Sequence, residues 1–265
     1  VDFDISFVHP AFPAESISPN ILVSEGLEQY PGFQGTGFFC VKNNSLFYLT
    51  ARHCLTKDNS VDTSNLAKCL RIPFSPSTDL DRSTVPFDCA YSVIHNSEDL
   101  PGVYLDAVAF RVANWISPEK RELLMRRAVK LPPSGEWFRK FLNSAQAEAC
   151  FESGAGIKLT GAGFPLDDEF TVAEYSDNDN ELAVMRATPV GFKGEVGPGA
   201  YDDRVKLNNV TWSGTTNGLS GSPVFIHFRK NNEPSYALVG MFVTAGGGTG
   251  QMMTVDFLLK LFEAE

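Results

Sequence analysis

Ten short apolar segments, none longer than ten residues, are punctuated by Gly, Pro, Asn and Asp over most of this 265-residue chain. That spacing reads as short strands and predicts an all-β protein. The first group comprises "ILVSEGLEQ" (21–29), "GTGFFCV" (35–41), "LFYLTAR" (46–52), "FDCAYSVI" (87–94) and "VYLDAVAFRV" (103–112). The second comprises "GIKLTGAGF" (156–164), "ELAVMRA" (181–187), "VKLNNVTW" (205–212), "SPVFIHF" (222–228) and "YALVGMFVT" (236–244). "KNNS" at 42–45 predicts a tight hairpin between the second and third segments.

Residues 117–149 interrupt the pattern with helix formers. Ser117 can cap, Pro118 suits the first helical position, and Trp137, Phe138, Phe141, Leu142 and Ala145 recur at helical spacing. "VDFLLKLFEAE" predicts a closing helix. The layout is two strand-rich halves joined by a helical insert, which suggests two packed barrels or sandwiches. The expected division is 1–116, 117–150 and 151–265.

A net charge of −10 argues against a nucleic-acid partner, and no segment approaches the length of about 20 apolar residues that a membrane span requires. Residues 118–140 depart from that charge with seven basic side chains against three acidic ones. A solvated helix face explains them; docking of a partner protein is the rival expectation. Five cysteines form no CxxC pair, so no zinc site is expected. Their odd number and the absence of a leader-like start favour a cytoplasmic setting, although triplets at Asn43 and Asn209 match glycosylation sequons. "DNDNELAVMRAT" (177–188) and "AGGGTGQ" (245–251) lack the positions of a calcium loop and a phosphate loop. No cofactor is expected.

The segment with chemical potential is "TTNGLSGSPVF" (215–225), in which Gly218 and Gly221 surround Ser220 at the entry to an apolar strand. A serine hydroxyl attacks only when a base takes its proton. Of four histidines, His9 lies among prolines, His95 beside a turn, and His227 too far along the strand that Ser220 opens, whereas His53 ends a strand and can meet another element. Asp106, inside an apolar strand, would be costly to bury without a partner; Asp88 competes but stands near a strand entry.

Taken in order, "LTARHC" (49–54), "LDAVAF" (105–110) and "GLSGSPVF" (218–225) resemble the His, Asp and Ser motifs of chymotrypsin-like serine proteases. "QGTGFF" (34–39) and "TGAGFP" (160–165) are similar to strands of the bacterial branch, the glutamyl endopeptidases and HtrA-type domains. The resemblance implies two perpendicular six-stranded-type β-barrels with a cleft between them, and a polypeptide substrate. It implies His53 as base, Asp106 as its orienter, Ser220 as nucleophile, and the N–H groups of Gly218 and Ser220 as an oxyanion hole. The pocket for the residue before the cleaved bond would be lined by Gly214, Thr215, Thr244, Ala245 and Gly246, with no charge to select Lys, Arg or Glu.

Three departures qualify the resemblance. Leu219 replaces the polar residue that precedes the serine, which raises the alternative of a latent or inactive scaffold. Gly214 stands where trypsins carry an acid. Cys54 occupies a half-cystine position, but a hairpin turning at 43–44 pairs Cys40 near Phe47, more than about 20 Å along the strand from Cys54. Cys54 is therefore expected to be a free thiol.

Overall fold

The computed structural model describes residues 13–26, 30–58, 61–74, 84–95, 103–175, 182–197 and 202–263. His9 and the loop at 177–180 lie outside them. The first half contains β1 (Ile17–Leu22), β2 (Gly32–Lys42), β3 (Ser45–Thr50), β4 (Leu70–Arg71), β5 (Phe87–Tyr91), β6 (Ile94–His95), β7 (Val103–Tyr104), β8 (Val108–Val112) and β9 (Val129–Lys130). Seven of these form one sheet ordered β4-β1-β2-β3-β8-β5, with β9 added in parallel to β2. The second half contains β10 (Lys158–Gly163), β11 (Thr171–Tyr175), β12 (Leu182–Ala187), β13 (Val190–Val196), β14 (Arg204–Thr211), β15 (Pro223–Lys230), β16 (Glu233–Gly246) and β17 (Thr249–Thr254). Six of those close into a barrel, β10-β13-β14-β17-β16-β15, while β11 and β12 form a separate ribbon. This is a chymotrypsin-like all-β architecture.

Strand period explains why the first sheet is covered on both faces. Phe38, Cys40, Phe47, Leu49 and Ala109 point into one core that continues through the second barrel. The intervening Phe39, Tyr48 and Phe110 point into a second cluster with Leu66 of α1 (Thr63–Cys69) and Leu124 of α2 (Pro118–Arg127). The hairpin at 42–45 forms as expected: Asn43 and Asn44 both take positive φ, 48° and 62°, as a two-residue turn between twisted strands requires. Cys40 pairs with Phe47, and all five cysteines are free thiols.

The insert is helical. Ser117 caps α2 by accepting the Lys120 N–H, and α3 (Glu136–Leu142) and α4 (Ala145–Glu152) follow. Phe138 and Phe141 of α3 enter the main core, and Arg139 pairs with Asp256 on α5 (Val255–Leu259) at 2.5 Å. Beyond α5, Phe262 packs edge-on against Phe47 of the first sheet with ring centroids 4.7 Å apart.

Two expectations need correction. The first strand is Ile17–Leu22 rather than 21–29, because Gly26 at φ 79° turns the chain just beyond it. The segment 103–112 is also not one strand: it divides into β7 and β8, and Asp106 sits in the bend between them, where the Ala107 N–H bonds to the Leu105 carbonyl at 2.7 Å. An interior strand position would have directed the carboxylate into apolar packing; the bend leaves it partly exposed and free to turn toward His53.

Candidate active site

His53 leaves the end of β3 on a single 3-10 turn, Arg52–Cys54. Arg52 anchors that turn from below, almost fully buried, with its guanidinium donating to the Val61 carbonyl at 2.6 Å and stacked over Tyr104 at 4.1 Å. His53 itself is exposed, and its Nδ1 lies 2.9 Å from Oδ2 and 3.0 Å from Oδ1 of Asp106. A cleft of about 230 Å³ opens beside the pair, bordered by Arg52, Tyr104 and Arg204. The protein packed around the partly exposed ring opposes its charge, but the hydrogen bonds to Asp106 and Cys54 and the charge of Asp106 outweigh it and raise the His53 pKa to about 10.

Asp88 and His227 are occupied elsewhere. Asp88 accepts from Arg111 Nε at 2.7 Å. His227 is buried in the second barrel, its Nε2 paired with the Thr160 hydroxyl, and burial lowers its pKa to about 4. His95 lies on β6, which pairs with β7.

Ser220 sits on the loop that enters β15, and every peptide of that loop is anchored. Residues Thr216–Leu219 form a turn closed by the Leu219 N–H on the Thr216 carbonyl at 3.2 Å. Gly218 holds φ +92°, the left-handed value that a type II turn demands at its third position. The Asn217 carbonyl accepts the Leu166 N–H at 2.7 Å. A trans peptide points its N–H opposite its carbonyl, so the Gly218 N–H faces away from Leu166. The Leu219 carbonyl likewise accepts from Ser222 N–H at 3.1 Å, which turns the Ser220 N–H the other way. Neither of those two N–H groups donates in any hydrogen bond among the described residues. Gly221, at φ +91°, must lack a side chain, because a Cβ there would lie 1.8 Å from the Thr36 carbonyl oxygen. Leu219 is fully buried in the main core, so packing holds the position where an ion pair is absent.

Ser220 Oγ donates to the Val243 carbonyl at 2.9 Å, and no hydrogen bond joins it to His53 among the described residues. The two residues are linked through Cys54, whose Sγ lies 3.9 Å from His53 Nε2 and 3.5 Å from the Ser220 carbonyl oxygen. Sequence reasoning gave Cys54 no part in the site. Gly35, not Cys40, faces it: a Cβ on Gly35 would sit 2.7 Å from Cys54 Sγ.

Of the expected pocket residues, Thr244, Ala245 and Gly246 end β16, and Gly214 and Thr215 lie in the loop preceding Ser220. Two neighbours escaped the sequence reasoning. A Cβ on Gly214 would meet Phe170 Cε2 at 2.7 Å and Asp167 Oδ2 at 3.7 Å, which places a ring and a carboxylate beside the expected pocket. Both come from the turn after β10, which no local signal connects to position 214. Among the described residues, no group of three or more His, Cys, Asp and Glu could hold a metal ion.

No protein-family model matches the chain, and no curated protein matches it. Among solved structures it is similar to one from work on aromatic interactions in the coupled folding and binding of the Sesbania mosaic virus VPg protein: 13% identity, 95% of this chain and 90% of that one, TM-score 0.41. A human pathogenic astrovirus serine protease gives 15% identity over 92% of this chain and 90% of that one, with a TM-score of 0.37. The tobacco vein mottling virus protease gives 8% identity over 95% and 82%, with a TM-score of 0.44.

Proposed function

We propose that the protein is a serine endopeptidase. The observation that carries this reading is the juxtaposition of the His53–Asp106 pair with a serine loop whose Gly218 and Ser220 N–H groups are both left undonated by anchored peptides. In this reading His53 Nε2 takes the proton of the Ser220 hydroxyl as its oxygen attacks the substrate carbonyl, and Asp106 accepts from Nδ1–H and stabilises the imidazolium. The negative oxygen of the tetrahedral adduct receives the two free N–H groups. Collapse of the adduct breaks the C–N bond, and His53 returns its proton to the departing amine. Water then repeats the cycle on the acyl ester and releases Ser220.

The pocket at Gly214, Thr215, Thr244, Ala245 and Gly246 is proposed to take an uncharged side chain. The bacterial branch of the fold rests on the motifs at 34–39, 160–165 and 215–225 alone. Partner docking at 117–149 is proposed to use the exposed face of α2, which carries Glu122 and Arg126.

One observation favours a second reading, a latent or inactive scaffold: the Ser220 hydroxyl is turned to Val243. Catalytic hydrogen bonds are often loose before substrate arrives, and a rotation about one side-chain bond frees the oxygen. Labelling with a fluorophosphonate separates the two. Loss of label in Ser220→Ala but not in Ser222→Ala supports the protease; a folded, unlabelled wild type supports the scaffold.

A further inference from the structure

The polar residue that would hold the serine loop in shape is replaced by Leu219, yet the loop is fully anchored. We infer that Thr36, on β2 of the first sheet, is the positioning residue that keeps the Gly218 N–H presented to substrate. This rests on the protease reading above. Thr36 is completely buried between the two halves. Its hydroxyl donates to the Gly218 carbonyl at 2.8 Å and accepts the Phe164 N–H at 2.8 Å. Its backbone N–H donates to the Ser220 carbonyl at 3.0 Å.

The hydroxyl works on both ends of the loop at once. Toward Gly218 it fixes the carbonyl of the peptide joining Gly218 to Leu219, where glycine offers no side chain to resist rotation. Toward Phe164 it holds the exit of β10, from which Leu166 N–H grips the Asn217 carbonyl two residues later. Loss of that grip would let the Asn217–Gly218 peptide turn over, converting the type II turn to type I and aiming a carbonyl oxygen where the N–H belongs. The post itself is rigid. The Thr36 carbonyl accepts from Thr50 Oγ1 at 2.7 Å and from Asn20 Nδ2 at 3.2 Å, and the Tyr48 hydroxyl bonds Asn20 Oδ1 at 2.8 Å. Only a side chain that both donates and accepts at one atom fills this role, which a hydroxyl does and a methyl does not.

Thr36→Val keeps the volume and removes the hydroxyl; Thr36→Ala removes the hydroxyl and the methyl, with no risk of overpacking; Thr36→Ser restores the hydroxyl. For each folded variant, the limiting rate of fluorophosphonate labelling and the probe concentration giving half that rate are measured, together with a crystal structure. The expected result is a fall of about 10²-fold in the limiting rate for Val and Ala, with the half-saturating concentration little changed and the rate largely recovered in Ser. The Asn217–Gly218 peptide should be turned in the Val and Ala structures. Wild-type rates in both, or an unturned peptide, would overturn the role assigned to Thr36. If wild type itself takes no label, the protease reading fails, and the peptide orientation in the variant structures alone decides whether Thr36 sets the loop.

Discussion

Asp106 grips His53 at two points: one carboxylate accepts both the backbone N–H of His53, at 3.0 Å, and its ring Nδ1, at 2.9 Å. The backbone bond orients the acid, so the ring bond is not free to slide. Asp106→Asn would preserve the shape but present an amide that favours the wrong ring tautomer. The expected effect is a loss of about 10⁴-fold in peptide hydrolysis. A single-turnover assay on a fluorogenic peptide checks it.

The elevated pKa of His53 sets a pH window with a definite sign. Its folded value, about 10, lies above the ordinary 6.5, so the protonated ring favours the folded state below pH 6.5 and that contribution is lost as pH rises through about 10. The melting-temperature gap between wild type and His53→Gln should therefore narrow over that interval. A base must be unprotonated to act, so activity should climb into the alkaline range rather than level off at roughly pH 7.5, as an unperturbed histidine would. A pH–rate profile paired with an NMR titration of the ring measures both.

Cys54 contributes to that elevation. Cys54→Ala removes one hydrogen bond to His53 Nε2 and leaves Asp106 in place, so the ring should titrate between 6.5 and about 10. The same variant should shift the rising limb of the pH–rate profile downward. An unchanged titration would show that Asp106 alone sets the base.

Asp167 tests the specificity of the pocket. If the site takes uncharged side chains, wild type and Asp167→Ala should rank a library of peptide substrates in the same order. A wild-type preference for Lys or Arg that disappears in Asp167→Ala would replace the neutral pocket with an acidic one.

The insert is a brace through α3. Phe138→Ala removes a fully buried ring from the main core and should cost about 3–5 kcal/mol by denaturant unfolding. Substitutions on the exposed face of α2, such as Arg126→Ala, should leave stability unchanged and report only on partner binding.

Much of the architecture was legible because strand signals are local. The Asn43–Asn44 hairpin, the pairing of Cys40 with Phe47 and the capping of α2 by Ser117 follow from neighbours a few residues away. The bend at Asp106 was not legible, because "VYLDAVAFRV" holds no glycine or proline to mark a break, and the His53 N–H and ring that Asp106 meets belong to a segment far away in sequence. The contacts made by Thr36, Cys54 and Asp167 were hidden for the same reason. Each joins segments far apart in sequence, and no spacing rule encodes which small residue, here Gly35 or Gly218, leaves room for them.

The edge-on contact of Phe262 with Phe47 ties the timing of synthesis to the state of the protein. During translation Phe47 emerges more than 200 residues before the ring that packs against it. Until residue 262 has cleared the ribosome, Phe47 lacks that aromatic neighbour. A nascent chain that already carries His53, Asp106 and Ser220 would therefore still lack a ring that packs against the strand leading to His53.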